Sequence, residues 1–166
     1  TAADGDSVQS GYSMNDSTVM RLSRLSRISE INVDLDGRYF NRYLGDGLIL
    51  STPTGSTAYS LSAGGPVVDP KLECMILTPI CSHSVFTRSL VLGDDAVLRI
   101  YSDDDGPLSV SCDGDEPFTV SAQGSITVEK ADICASFIRL KNDSFVDILN
   151  RKMMKWNSSS HDEREV

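Results

Sequence analysis

A mainly β fold, an antiparallel sandwich or barrel, is what this sequence predicts, and three observations carry the prediction. Short apolar segments recur from Ile31 to Leu140 with turn signals every eight to twelve residues, the pattern of an antiparallel β domain. Asp36-Gly37 stands between the alternating Ile31–Leu35 and the run Arg38-Tyr-Phe, and Asp-Gly is a strong signal for a two-residue hairpin turn. Apart from residues 19–27, which fit helix or strand, helical signals fall in two places, a short stretch after Thr54-Gly-Ser-Thr57 and a closing one from Phe145 to Trp156.

Taken in order, residues 1–13 are polar and rich in Gly, Ser and Asp, and are expected to be loose. The text VMRLSRLSR over 19–27 fits either a basic amphipathic helix or a strand with Leu22 and Leu25 inward. The hairpin around Asp36-Gly37 leads into a turn at Gly45-Asp46-Gly47 and a core segment, Leu48-Ile-Leu50. Strands are expected at Val67-Val68, Met75–Leu77, Val85, Leu90–Leu92, Ala96–Tyr101, Leu108–Cys112, Phe118–Val120, Ser125–Val128 and Phe137–Leu140. Phe145, Ile148, Leu149 and Met153 share one face of the closing helix, and the polar tail 157–166 is expected to be disordered. No repeat or long linker divides the chain, so residues 14–156 are read as one domain.

A chain of 166 residues is long enough to bury a proper core. Its formal net charge of −9 argues against nucleic acid or an anionic membrane as the main partner. It does not exclude an anionic ligand, because a local nest of N–H groups can outweigh a distant field. No apolar run approaches membrane-spanning length, and no signal peptide is read. The four cysteines, Cys74, Cys81, Cys112 and Cys134, form no CxxC pair and stand at no ligand-like spacing to His83 or His161. They read as reduced thiols of a cytoplasmic protein, with no metal site. The acidic turns at 103–106 and 113–115 lack EF-hand spacing and read as solvated hairpin turns.

The most informative stretch is Ser51-Thr-Pro-Thr-Gly-Ser-Thr-Ala-Tyr-Ser-Leu-Ser-Ala-Gly-Gly-Pro66. A core segment runs into a turn of hydroxyls and one glycine, and then into a short helix that stops at Gly64-Gly65-Pro66. No lysine follows Gly55, so this is not the phosphate loop of nucleoside triphosphatases. Thr57 and Ser62 could hydrogen-bond amide or base edges, Ala58 leaves room for a flat ring, and Tyr59 offers an apolar face with a polar tip. The plainer alternative is that Ser and Thr cap the helix and Tyr59 packs on the sheet. Asn15-Asp16 reads locally as a turn, but an amide beside a carboxylate also suits a ribose diol.

The segment 45–66 resembles the signature of NAD kinases, enzymes that phosphorylate the adenosine-ribose 2′-hydroxyl of NAD. Leu77-Thr-Pro-Ile-Cys-Ser-His-Ser84 with Arg88, Ser111-Cys-Asp-Gly114, the pair Asn15-Asp16 and the helix Phe145…Leu149…Lys152…Trp156 resemble further family segments, so that residues 14–156 are covered. Ser82 and Ser89 replace prolines usual in the family. The family's Gly-Gly-Asp-Gly turn, whose carboxylate acts on the reacting hydroxyl, has no counterpart here, and no alternating βαβ region precedes Asn15.

The resemblance therefore implies the C-terminal, mainly β domain of an NAD kinase without its N-terminal kinase domain. It implies binding of NAD or NADP by Asn15, Asp16, Asp46, Thr57, Ala58, Tyr59 and Ser62, with Ser60 and Leu61 contributing backbone or packing. The aspartate matching Asp46 faces the nicotinamide end, often across a subunit boundary. That implies a homo-oligomer, with Cys81 and His83 as candidates to line the site from the neighbouring chain. ATP with a divalent cation, Mg, would serve the complete enzyme. The alternative is a non-catalytic NAD(P)-binding or regulatory module lacking the kinase half.

Overall fold

In the computed structural model, which describes residues 1–22, 29–83, 87–103, 106–138 and 140–162, the apolar alternation does form strands. The first are β1 (Ala2–Asp4), β2 (Ser7–Gln9), β3 (Asp16–Arg21), β4 (Ser29–Leu35), β5 (Arg38–Gly45) and β6 (Gly47–Ser51). A 3-10 turn over Thr54–Thr57 and one helical turn, α1 (Tyr59–Ser62), follow. Then come β7 (Cys74–Ile80), β8 (Leu90–Gly93), β9 (Leu98–Tyr101), β10 (Leu108–Cys112), β11 (Phe118–Val120), β12 (Ser125–Val128) and the helix α2 (Phe145–Asp162). The strands make two six-stranded antiparallel sheets, in the orders β2-β1-β12-β9-β4-β5 and β11-β10-β3-β6-β7-β8.

Local chemistry explains the elements. Asp36 and Gly37 both take positive φ, 51° and 74°, which fits the turn that closes β4 and β5 with the right twist. Val19, Leu48, Leu50, Leu77, Leu108 and Val110 of the second sheet and Ile31, Val33, Leu98, Ile100 and Ile126 of the first are buried in one core cluster. Side chains alternate along a strand. Asp16, Ser51 and Thr78 therefore point to the other face of the second sheet, and there the Ser60 hydroxyl of α1 meets that of Thr78. On that face the polar Asp16, Ser51 and Thr78 lie among the buried Ile49 and Ile76, under the hydroxyl-rich turn.

Three readings are corrected and one open alternative is decided. Residues 2–9, expected to be loose, form the β1–β2 hairpin, because β12 offers an edge to which Ala2 and Ala3 pair. Of the two alternatives left open for residues 19–27, the strand holds for 19–21, which continue β3 between β6 and β10; residues 23–28 lie outside the described ones. Val67-Val68 forms no strand, because the Val68 N–H donates to the Ser56 hydroxyl at 3.1 Å instead of to a ladder. Among the described residues of 137–140 there is no strand either, and Phe137, Ile138 and Leu140 are exposed. Val85 lies outside the described residues.

The chain divides into two compact units, Thr1–Ile133, which holds both sheets, and the segment beginning at Cys134, which holds α2. Ser144 and Asp147 open α2 with reciprocal side-chain-to-N–H bonds of 3.1 and 3.2 Å, a capping box. The helix runs to Asp162, six residues past the expected Trp156, and residues 163–166 lie outside the described ones. Among the described residues no helix is long and apolar enough to cross a membrane.

Candidate functional site

The polar turn after β6 is built around close backbone approach. Thr52 donates its N–H to the Asn15 carbonyl at 2.9 Å and its hydroxyl to the Met14 carbonyl at 2.6 Å. Its Oγ1 also accepts the Gly55 N–H at 3.1 Å. Gly55 lies so near Asn15 that an added Cβ would overlap the Asn15 carbonyl, so glycine is required here by contact rather than by φ. The buried Ser56 hydroxyl donates to the Pro53 carbonyl at 2.7 Å and accepts from the Val68 N–H, tying the turn to the chain that leaves it.

These contacts bring Asn15 and Asp16 to the start of α1. Asp16 pairs with Ser51 across β3 and β6 and is 7 % exposed. Burial pushes its carboxyl above the ordinary aspartate range, the Asp113 carboxylate pushes the same way, and the Tyr59 N–H, bonded to it, pulls it back. Tyr59 itself is 44 % exposed. Thr57, Ala58 and Leu61 are half-buried and Ser62 is exposed. Ser60 is fully buried, its hydroxyl 3.0 Å from that of Thr78, which donates in turn to Ser89 at 3.1 Å. The plainer reading, Tyr59 packed on the sheet, does not hold. Neither helical turn has a side-chain cap, and the buried Ser56 and Ser60 hydroxyls bond to Val68 and Thr78 instead.

Asp46 stands elsewhere. It is exposed between β5 and β6, with its N–H on the Ile80 carbonyl at 3.1 Å. The Cys81 thiol hydrogen-bonds its carboxylate, and that bond and charge together hold the thiol pKa above the ordinary cysteine value. Cys81 adopts φ 47°, and His83 donates its N–H to the Leu44 carbonyl at 2.7 Å, so Asp46, Cys81 and His83 share one edge. β6 separates the two groups: its five residues span about 16 Å. Asn15, Asp16 and residues 57–62 therefore come together, whereas Asp46 and His83 do not join them in one chain.

The residues that sequence reasoning missed are Thr52, Gly55 and Asp113. Asp113, read as a solvated turn residue, accepts the N–H groups of Met14, Asn15 and Asp16 at 2.6, 2.7 and 3.0 Å. Only the pairing of β3 with β10 places it there, and no local signal announces that. Among the described residues no group of three or more His, Cys, Asp and Glu could hold a metal ion.

Residues 14–140 match the model of the ATP-NAD kinase C-terminal domain. The chain is 42% identical over 147 residues to a protein named NAD kinase from Carboxydothermus hydrogenoformans, covering 88% of this chain and 52% of the relative. A NAD kinase from Thermoanaerobacter sp. is 39% identical over 84% of this chain and 50% of its own length. The chain thus spans about half the length of these curated relatives. Among solved structures, yeast NADH kinase complexed with NADH superimposes with a TM-score of 0.66 at 34% identity, over 77% of this chain and 38% of that one. An NAD kinase from Archaeoglobus fulgidus in complex with ATP gives 0.63 at 32% identity, over 72% and 46%.

Proposed function

This chain belongs to the NAD kinase family through that family's C-terminal domain, and from that premise we propose that it supplies the dinucleotide-binding half of an NAD kinase. The observation that carries the proposal is the meeting of Asn15 and Asp16 with the exposed Tyr59 at one polar rim. The Asp16 carboxylate accepts both hydroxyls of the adenosine ribose, and the Asn15 amide lies beside it. Thr57 and Ser62 reach amide or base edges, Ala58 leaves room for the ring, and Tyr59 lends its face. Ser60 and Leu61 serve by backbone and packing. The NADH held by the yeast relative supports a pyridine dinucleotide as the ligand.

In the complete protein, ATP with a divalent cation such as Mg supplies the phosphoryl group and its charge neutralisation. The ATP complex of the archaeal relative supports that donor. The ribose 2′-oxygen bonds the γ-phosphorus as the bond to the β-phosphate oxygen breaks, and NADP and ADP result. The proton goes to a carboxylate of the N-terminal kinase domain. This chain's part is to bind the dinucleotide, orient its ribose and desolvate it on one side. The cation would be held by the ATP phosphates together with the kinase domain. Exposed Phe137, Ile138, Leu140, Val146 and Met154 of the second unit are apolar surface suited to contact with that kinase domain. The separation of Asp46 and His83 from the first group supports a homo-oligomer in which they meet the nicotinamide end of a neighbour's dinucleotide. A cytoplasmic place fits four unpaired cysteines.

Calorimetric titration with NADP tests the reading. Asn15→Ala and Tyr59→Ala should each weaken binding by about tenfold, and unchanged affinity in both variants overturns it. The 166-residue chain alone should show little or no kinase turnover. Appreciable turnover would place the catalytic group within it and refute the division of labour. Bound NADP at a hundredfold its Kd should add about 2.7 kcal/mol of stability.

A further inference from the structure

Resting on that reading, we infer that Asp113 is a positioning residue for the dinucleotide: its carboxylate grips three successive N–H groups and so sets Asn15 and Asp16 for the ribose. The turn between β10 and β11 has the geometry this needs. Asp113 and Gly114 take φ 50° and 80°, and the carboxylate lies over the start of β3. One oxygen accepts from Met14 at 2.6 Å, and the other accepts from Asn15 at 2.7 Å and Asp16 at 3.0 Å. The Asp113 N–H returns a bond to the Asp16 carbonyl at 2.8 Å.

The opposite side of the same segment is held by Thr52 and by the close approach of Gly55. Asn15 is therefore clamped through its backbone from two directions, which leaves its side chain as the part that can serve a ligand. A carboxylate accepting backbone N–H groups makes charge-assisted bonds, stronger than neutral ones. A solvated turn would have no need of a second acidic side chain so close to Asp16. The placement of Asp113 is explained by the fixed geometry it imposes, even though its charge helps to raise the Asp16 pKa.

The test is NADP titration of the full chain with Asp113→Asn, Asp113→Ala and double variants. Asparagine keeps one acceptor and tolerates positive φ, so Asp113→Asn should weaken binding about threefold and Asp113→Ala about tenfold to a hundredfold. In an Asn15→Ala background Asp113→Ala should add less than about threefold, because it acts through the residue already lost. Combined with Ser62→Ala, which alters the rim from α1 and not through residues 14–16, the losses should multiply.

Losses that multiply with Asn15→Ala as well, or undiminished affinity in Asp113→Ala while Asn15→Ala binds weakly, overturn the inference and leave the site reading intact. Absence of NADP binding in the wild type overturns both. Should Asp113→Ala fail to fold, the cycle of Asp113→Asn with Asn15→Ala decides by the same criterion.

Discussion

The two ends of β6 differ in how they are held. At the Ser51 end, backbone groups of residues 14–16 are gripped by Thr52, Gly55 and Asp113, and Asp16 is buried. At the Gly47 end, Asp46 is exposed and its carboxylate meets the thiol of a residue in a left-handed conformation, Cys81. One end is preorganised within a single chain; the other presents a charged side chain outward. Preorganised groups bind without an ordering cost, so the first end should carry most of the affinity of an isolated chain. The second should matter only when a neighbour supplies the rest.

The largest effect should come from a change that spoils both ends. Leu48 lies mid-strand and fully buried, and Leu48→Ala should lower stability by about 3 kcal/mol in urea unfolding. Gly55→Ala should break only the gripped end. Its Cβ overlaps the Asn15 carbonyl, and a loss of about 2 kcal/mol with at least about tenfold weaker NADP binding is expected from unfolding and calorimetry. An unaltered melting temperature would mean that the two backbones do not approach so closely.

Asp16→Asn sharpens the contrast through pH. The folded chain binds the Asp16 proton more tightly than the unfolded chain does, since the carboxyl pKa is raised from 3.8. The folded state therefore holds more protons above that value, and this group's contribution to stability falls as pH rises through the raised pKa. Asp16→Asn should flatten the fall in urea midpoints and stabilise the chain near neutrality, while weakening NADP binding. A steeper fall in the variant would reverse the sign. The smallest effect should be at the open end. Asp46→Ala should leave stability nearly unchanged but quicken alkylation of Cys81 at mildly alkaline pH, read by peptide mass, because the neighbouring charge that suppresses the thiolate is gone.

Much of this was legible in the residues. Alternation with Asp36-Gly37 announced the central hairpin, and the hydroxyl run after Leu50 announced the turn that holds Tyr59. The strand at 2–9 was hidden because three-residue strands are stabilised by the edge they join, here β12, and not by their own pattern. Phe137–Leu140 alternates well, yet among its described residues there is no strand, since alternation specifies a face and not a partner. Asp113 looked like a turn residue because it is one; its second task lies 97 to 99 residues away along the chain.

The β class, the central hairpin and the chemistry of the polar turn follow from the order of residues alone, because they depend on side-chain period and local backbone preference. That Asp113 grips Asn15 and Asp16, and that Asp46 stands at the far end of β6 from them, emerges from the assembled sheets. Those facts follow from which strands pair and in what register, and pairing between distant segments is settled by burial of the whole core.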